Sequence, residues 1–444
     1  MDKDEDRTPH YRKNSLTLVG AVALGTGVMI GAGIFALTGQ MAQMTGGLFP
    51  LAFLSAAVIV SFSAYSYVKM SNAYPSAGGI AMYLEKAYGT TLTTAFYSLL
   101  MYFSMVIAES FLARTFGAYT LQLFDIADSS LLVPTLGVGL LLVAFLINLS
   151  ANRVIEGVAS VLGFIKIGGI VLFGAVGILV ADKVEVNFST AVPDASMAGF
   201  FGATALGILA FKGFTTITNS GSELKDPHRN VGRAIMISIA LCVVIYTLVG
   251  FSVASNLSIQ EIIKTRDYSL AAAARPALGE YAVWFTVVLA MLATAGGIIA
   301  SIFAVSRVLA MLTDMKLVPH SKFGMPGSIQ KHTLVYTVIF GLLLTIFFDL
   351  TRIAALGIIL YLVMDIAVHW GILRYLRHEI GARLVVLIVA IILDLSVLAG
   401  FVWIKISSDP LVVGVAGALM LAILIVEVLF LRLNPIVPNG DNNG

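Results

Sequence analysis

Apolar positions follow one another in long runs along this chain, and short polar segments separate the runs. An α-helix needs about 20 mostly apolar residues to cross the hydrocarbon core of a bilayer. The segment 76–91 is too polar to span and is predicted to be an interfacial helix. We predict an all-α integral membrane protein whose twelve spans cover residues 16–44, 49–74, 93–123, 130–149, 153–181, 197–221, 232–255, 281–312, 333–348, 351–376, 382–404 and 410–431.

Composition supports a chain that lies mostly within the membrane. Of the 444 residues, 59% are hydrophobic and 12% are charged, whereas soluble domains carry about 25% charged residues. The single cysteine, Cys242, cannot form an internal disulfide. A net charge of +2 gives no support for nucleic-acid binding. We therefore expect a polytopic protein with the lipid bilayer as its surroundings, and no obligate protein partner is evident.

The positive-inside rule predicts the orientation. Lysine and arginine are concentrated in the segments that face the cytoplasm if the N-terminus is inside. Residues 1–15 are polar and lack the apolar core of a signal peptide, so they are interpreted as a cytoplasmic tail. We predict a multi-pass protein of the plasma (cell inner) membrane whose N- and C-termini are both cytoplasmic.

Two of the predicted spans contain a break. The first is interrupted by glycines in the stretch TGVMIGAGIFALTG, Thr26–Gly39, and the sixth is interrupted at Lys212-Gly213. An interior glycine costs a helix about 1 kcal/mol relative to alanine, and a backbone amide freed in lipid finds no water. Because such breaks are costly in a membrane helix, we predict that each break has a function.

The two breaks occupy corresponding positions when the chain is divided into two units of five spans. An odd number of spans makes the second unit start from the opposite side of the membrane, which is the arrangement of an inverted repeat. Paired glycine-interrupted segments in two halves indicate a transporter binding site near the bilayer midplane.

An unwound helix exposes N–H groups at one half-helix end and carbonyl groups at the other. The N–H end attracts a carboxylate and the carbonyl end attracts an ammonium group. Two facing breaks would therefore suit a zwitterion, such as an α-amino acid. The alternative is that the Gly27-x-x-x-Gly31 spacing serves close packing between membrane helices.

Four motifs carry a resemblance to a known family. They are GVMIGAGIF (Gly27–Phe35), PSAGGIAMYLEKAYG (Pro75–Gly89), SELKDPHRNVGRAI (Ser222–Ile235) and SRVLAMLTDMKLVP (Ser306–Pro319). In this order they resemble the amino acid–polyamine–organocation (APC) superfamily, close to its proton-coupled bacterial and archaeal permeases that carry a lysine in span five. The resemblance implies amino acid transport by alternating access.

The resemblance also implies a LeuT-type fold of two inverted five-helix repeats. These repeats would be residues 16–181 and 197–377. Two peripheral helices at 382–431 and a cytoplasmic tail at 432–444 would follow.

The same resemblance implies the substrate contacts. The backbone N–H groups of the first break would bind the substrate carboxylate, and carbonyl groups of both breaks would receive its ammonium group. The remaining residues of the second break would border the substrate. By position, the carboxylate would bind to the N–H groups of Gly31, Ala32 and Gly33. The ammonium group would bind to the carbonyl groups of Met29, Ile30 and Phe211. The residues that would border the substrate are Lys212, Gly213 and Phe214.

Lys166 lies midway along the fifth span, where an unpartnered ammonium group is costly and is readily deprotonated. The resemblance implies that Lys166 occupies the place of a sodium ion in sodium-coupled relatives and reaches carbonyl groups near Gly27 and Val28. A hydroxyl of span eight would join them, and we expect Ser301, with Thr294 as the second candidate. Lys166 is thus the predicted proton-coupling residue. The alternative is a purely structural ion pair.

Lys212 places a second positive charge in the break of span six. It is predicted either to pair with Glu109 of span three or to bind a second carboxylate of an acidic substrate. Opposite charges that neutralise each other cost less to bury than either charge alone. Glu109 also has Arg114 about one helical turn away as a possible local partner.

Two further groups of charges stand out. Asp365 and His369 are four residues apart in span ten, and a local pair is favoured over a proton relay. Charges after span six, together with three charges before span three, would form either an inner gate or an ordinary solvated loop. These are Glu223, Lys225, Asp226, Arg229 and Arg233, with Lys69, Glu85 and Lys86.

Motifs of catalysis and of phosphate binding are absent from the sequence, and the histidines do not cluster at metal-ligand spacing. We therefore predict no enzyme, no cofactor and no metal. A channel is less suited to two broken helices in one chain. The sequence predicts a proton-coupled symporter of neutral amino acids, whose partners are an amino acid and protons. The alternative is an amino acid or polyamine exchanger without ion coupling.

Overall fold

The computed structural model of the protein describes residues 15–434, apart from 77, 125, 128, 150–151, 182–196 and 319–328. Over these residues the fold is all-helical, and their only β-type pairing is an isolated bridge between Leu16 and Leu224. The predicted tails, 1–15 and 432–444, fall almost entirely outside the described residues.

The α-helices of the described residues are numbered in chain order. They are α1 (Leu18–Met29), α2 (Ala32–Thr45), α3 (Phe49–Ala73), α4 (Ile80–Tyr88), α5 (Leu92–Gln122), α6 (Leu132–Asn148), α7 (Asn152–Val180), α8 (Met197–Phe211), α9 (Thr215–Thr218), α10 (Pro227–Asn256), α11 (Ile259–Lys264), α12 (Ser269–Leu278), α13 (Glu280–Asp314), α14 (Ile329–Phe347), α15 (Leu350–Gly371), α16 (Leu384–Ser408) and α17 (Pro410–Leu433).

The first predicted span is divided into α1 and α2. Thr17 caps α1, because its hydroxyl accepts a hydrogen bond from the Gly20 N–H at 3.1 Å. The helix ends at Met29, and Gly31, with a ψ of −101°, leaves the helical conformation before α2 resumes at Ala32. The glycine-rich stretch therefore breaks the helix where the sequence predicts a break.

The sixth predicted span changes its winding at the second break. The helix α8 ends at Phe211, a 3₁₀ turn covers Lys212–Phe214, and the one-turn helix α9 follows. The tighter winding redirects backbone groups that an uninterrupted α-helix would satisfy internally.

Nine helical stretches of the described residues are long and apolar enough to cross a membrane. One of them, Leu18–Ala73, runs through α1, α2 and α3 over 56 residues. Two shorter apolar helices, Leu132–Asn148 and His332–Phe347, accompany them. Long apolar helices of this number define a multi-pass membrane protein.

Packing separates a core from a periphery. The helix α5 packs along α13 and α15, while α10 packs along α3. The most apolar windows of α16 and α17 have only 28% and 22% of their residues buried within the protein. The two last helices therefore expose most of their apolar surface to the surroundings, as helices at the rim of a bundle in lipid do.

Short helices complete the connections. The predicted interfacial segment contains α4, which is nine residues long and too short to span. Two helices that the sequence analysis did not predict, α11 and α12, lie between α10 and α13. A capping box begins α11, since the Ser258 hydroxyl accepts from the Glu261 N–H and the Glu261 carboxylate accepts from the Ser258 N–H. Hydrogen bonds from Ser258 lower the pKa of Glu261 below its usual value.

Candidate functional site

The two helix breaks lie against each other. A Cβ atom added to Gly213 would be only 2.7 Å from the backbone nitrogen of Met29. A Cβ atom added to Gly33 would be 3.0 Å from the Cα of Ala210. Backbone packing this close requires the absence of a side chain, so these two glycines bring the broken helices together.

A cavity of about 60 Å³ lies beside the facing breaks. This is enough space for a few water molecules or a small solute. Most of its wall is apolar. The polar side chains on the wall are Lys212, Thr215, Thr216 and Ser301, and the apolar ones include Met105, Phe111 and Leu112 of α5 and Ile353 and Ala354 of α15.

The structure divides the residues predicted to bind substrate into two groups. Met29, Gly33, Lys212 and Gly213 line the cavity. A second group is buried without lining it and comprises Ile30, Gly31, Phe211 and Phe214. The side chain of Ala32 is outside the described part of the chain, although its backbone begins α2.

The two phenylalanines of the second break pack against tyrosines. The ring of Phe211 lies 4.8 Å from that of Tyr246, and the ring of Phe214 lies 5.3 Å from that of Tyr67. Neither ring lines the cavity. Besides residues of the broken helices, the apolar wall contains side chains of α5 and α15, which only the tertiary packing brings to the breaks.

Tyr246 of α10 connects the two broken helices. Its hydroxyl lies 2.5 Å from the Met29 carbonyl oxygen and 3.1 Å from the Ala210 carbonyl oxygen. The sequence analysis did not identify this residue. The available signal was a single phenol within the apolar run ALCVVIYTLVGF, because a buried tyrosine hydroxyl usually finds a hydrogen-bond partner.

Lys166 is buried, with 3% of its surface exposed, and its Nζ donates a hydrogen bond to the Gly27 carbonyl at 3.3 Å. This is a carbonyl contact that the family resemblance implies. Among the described residues, neither candidate for the hydroxyl partner forms a hydrogen bond with Lys166. Ser301 donates to Glu109 at 3.1 Å, and Thr294 donates to carbonyl groups of its own helix, which satisfy its hydroxyl locally.

Lys212 is also buried and does not form the ion pair proposed with Glu109. Its Nζ donates to the Ser104 hydroxyl at 2.6 Å and lies 5.4 Å from the centre of the Tyr361 ring. Among the described ion pairs there is none between Lys212 and Glu109. The two charges still attract each other electrostatically, but Ser104 holds the ammonium group and Ser301 holds the carboxylate.

The local alternative for Glu109 is also not formed. Arg114 donates from Nη1 to the carbonyl oxygens of Thr345 and Phe348, at 2.8 and 2.5 Å. Arg114 therefore binds carbonyl groups at the end of α14 and does not pair with the carboxylate of Glu109, which lies on the same helix as Arg114. Among the described residues, Oε2 of Glu109 is buried without a hydrogen-bond partner.

The pair predicted in span ten is present and has a third member. His369 Nε2 lies 3.6 Å from Asp365 Oδ1 and 3.3 Å from Oδ2 of Asp394, on α16. All three side chains are at most 1% exposed. The sequence analysis assigned Asp394 no role, because no pattern within one helix links it to span ten.

Charges beyond the second break take part in a contact with α13. Glu223 accepts a hydrogen bond from Arg307 of α13 at 2.8 Å. The backbone of Leu16 pairs with that of Glu223 and Lys225 on either side of Leu224. The start of α1, the segment after α9 and the end of α13 are thereby joined.

A multi-pass helical bundle with two facing helix breaks beside a small buried cavity is the architecture of a membrane transport protein. The sequence profile described as "Amino acid permease" matches residues 16–430. The chain belongs to this family of amino acid transporters, and the resemblance to the APC superfamily is confirmed. The protein is therefore a transporter and not an enzyme.

Relatives with known names agree with this membership. The inner membrane transport protein YbaT of Escherichia coli (strain K12) is 29% identical over 93% of this chain and 96% of its own length. The large neutral amino acids transporter small subunit 2 of Mus musculus is 26% identical over 92% of this chain and 79% of its own. The branched-chain amino acid permease BcaP of Lactococcus lactis is 28% identical over 55% of this chain and 56% of its own.

Proposed function

We propose that the protein imports amino acids across the plasma membrane by alternating access, as a proton-coupled symporter of neutral amino acids. The observation that carries this proposal is the contact between the two helix breaks, where Gly213 lies against Met29 beside the cavity. At this contact, a half-helix end that exposes carbonyl groups lies beside a half-helix end that exposes N–H groups. Such a site attracts the two opposite charges of an α-amino acid at once.

The proposed contacts are made by the backbone. The N–H groups of Gly31, Ala32 and Gly33, at the start of α2, bind the substrate carboxylate. The carbonyl groups of Met29, Ile30 and Phe211 receive the ammonium group. The Met29 oxygen already accepts from Tyr246, but a carbonyl oxygen has two lone pairs, so one remains for the substrate.

The wall of the cavity supports a neutral, apolar side chain on the substrate. The side chains from α5 and α15 on that wall are apolar, and Lys212 already donates to Ser104. The ammonium group of Lys212 is therefore less available for a second carboxylate. Relatives named for large neutral and for branched-chain amino acids support the same substrate class.

The proposed architecture has twelve spans in a LeuT-type arrangement. The stretch Leu18–Ala73 is long enough for two traverses, and the two shorter apolar helices complete the number. Residues 16–181 and 197–377 form the two five-helix repeats, residues 382–431 form the peripheral helices, and both termini are cytoplasmic. The matching position of the two breaks supports this division.

Proton coupling is assigned to Lys166. Its ammonium group holds the Gly27 carbonyl of α1, so loss of its proton would weaken the contact between α7 and the broken helix. Protonation would then be linked to the position of α1. An exchanger is the second candidate, because the same hydrogen bond would also serve as a permanent structural contact that needs no ion.

The experiment that tests the function is uptake into proteoliposomes. Purified protein is supplied with a mixture of labelled neutral amino acids, with a proton gradient imposed and sodium absent. We expect accumulation that an uncoupler abolishes. Uptake that occurs only when the vesicles are preloaded with amino acid would establish the exchanger. Absence of both, with protein-free vesicles as the control, would reject amino acid transport for this chain.

A further inference from the structure

A buried cluster outside the proposed transport site has the geometry of a metal centre. It consists of Asp365 and His369 of α15 and Asp394 of α16. One ligand atom of each lies within 4.8 Å of the other two. We propose that this cluster binds a divalent transition-metal cation, Zn²⁺, which links the peripheral helix α16 to α15.

The spacing of the ligand atoms supports the proposal. In a tetrahedral zinc site with bonds of 2.0–2.1 Å, neighbouring ligand atoms are about 3.3 Å apart. His369 Nε2 lies 3.3 Å from Asp394 Oδ2 and 3.6 Å from Asp365 Oδ1. Two carboxylates and one imidazole are three protein ligands for zinc, and they leave a fourth position for a water molecule.

The surrounding residues orient the proposed ligands. The Ser66 hydroxyl lies 2.8 Å from His369 Nδ1, so an Nδ1–H donating to Ser66 would leave the Nε2 lone pair directed at the two carboxylates. Tyr67 donates to Asp365 Oδ1 at 2.5 Å, and Ser63 donates to Asp365 Oδ2 at 2.7 Å. Hydrogen bonds of this kind fix the orientation of metal ligands.

Two polar atoms of the cluster have no other partner. Within the described residues, neither His369 Nε2 nor Asp394 Oδ2 makes a hydrogen bond, and both side chains are at most 1% exposed. A buried polar group without a partner is costly. A cation between these atoms and Asp365 would satisfy all three ligands.

Charge balance selects a divalent ion. Two carboxylates carry two negative charges, and a neutral imidazole adds none, so a divalent cation makes the buried site neutral. The imidazole favours zinc over magnesium or calcium, which prefer oxygen ligands. The sequence analysis predicted no metal, because Asp365 and His369 provide only two ligands within one helix.

The test uses the full chain, purified in detergent without a histidine tag. We expect about one Zn²⁺ per chain by mass spectrometry after gel filtration, as for a single three-ligand site. After removal of the metal by a chelator, added Zn²⁺ should raise the melting temperature and Mg²⁺ should not. The proposal would be overturned if the protein held no stoichiometric metal and melted at the same temperature with Zn²⁺, Mg²⁺ or chelator. A protonated His369 would then be the positive charge that the two carboxylates share.

Variants locate the bound ion. His369→Gln and Asp394→Asn should lose the Zn²⁺ and its thermal effect, whereas Glu427→Gln, which changes another buried carboxylate, should retain both. Zinc retained by His369→Gln would mean binding elsewhere and would reject this site. If the variants do not fold, X-ray absorption spectroscopy of the zinc-loaded wild type decides. We expect nitrogen and oxygen ligands at about 2.0–2.1 Å from the zinc. A zinc ion with sulfur ligands, or with water ligands alone, would contradict the proposal.

Discussion

At the scale of single residues, Gly213 shows how the site depends on one missing atom. Its backbone lies so close to Met29 that a Cβ would be 2.7 Å from the Met29 nitrogen. We expect Gly213→Ala to push the two breaks apart and to lower the rate of uptake about 10-fold or more, since overpacking of this kind costs about 1–3 kcal/mol. The measurement is initial uptake in proteoliposomes.

Gly139→Ala is the matched control for this substitution. A Cβ at Gly139 of α6 meets no atom of the described residues within 4 Å, so transport should be unchanged. Equal activity of both variants would show that the close contact between the breaks does not matter for transport.

Lys166 provides the test of proton coupling. Lys166→Ala removes the charged group that donates to the Gly27 carbonyl. We expect the variant to bind substrate, measured by isothermal calorimetry, but to lose accumulation driven by a pH gradient. The physical reason is that no group at this contact can then change its charge. A variant that still concentrates substrate when driven by pH would assign coupling to another residue.

At the scale of elements, Tyr246 joins the ends of two broken helices to α10 through one hydroxyl. Removal of a buried hydrogen bond costs about 1 kcal/mol. Tyr246→Phe should therefore raise KM for uptake about fivefold while protein yield is maintained. Tyr281→Phe is the control, because Tyr281 is 87% exposed. An unchanged KM in Tyr246→Phe would indicate that the hydroxyl serves packing alone.

The contact between Glu223 and Arg307 belongs to the same scale, since it joins the segment after α9 to α13. In the proposed orientation, these elements would have to separate for the site to open to the cytoplasm. We expect Glu223→Gln and raised salt to speed inward opening, because both weaken the attraction. The measurement is labelling of a Thr216→Cys reporter in a Cys242→Ala background.

Glu280→Gln is the control for this experiment, as Glu280 pairs with Arg275 at an exposed position. Labelling of the reporter at the same rate in Glu223→Gln and in the parent would exclude a gate at this contact.

At the scale of the whole molecule, the predicted orientation is directly testable. Cys242 is the only cysteine of the sequence and is buried, so a Cys242→Ala background is free of thiols. Lys264→Cys lies on α11, predicted outside, and Arg229→Cys lies at the start of α10, predicted inside. An impermeant thiol reagent should label only the first in intact cells and both after permeabilisation. The reverse pattern would invert the topology.

The sequence alone identified the family, a multi-pass helical membrane protein and both helix breaks. These features are local, because a span needs a long apolar run and a break needs glycine or polar residues within it. The helix end at Met29 lies within the glycine-rich stretch, and the helix end at Phe211 directly precedes the predicted break at Lys212-Gly213. The resemblance implied the contact of Lys166 with the Gly27 carbonyl, which is present in the structure.

The tertiary structure decided which distant side chains meet. Ser301 contacts Glu109 and not Lys166, Ser104 holds Lys212, and Asp394 joins His369. Each of these contacts joins different helical segments of the chain. A hydrogen bond forms only where packing brings donor and acceptor within about 3 Å, and helical periodicity specifies neighbours on one helix alone. The apolar runs therefore determined a membrane bundle, whereas the packing of its helices determined the chemistry inside it.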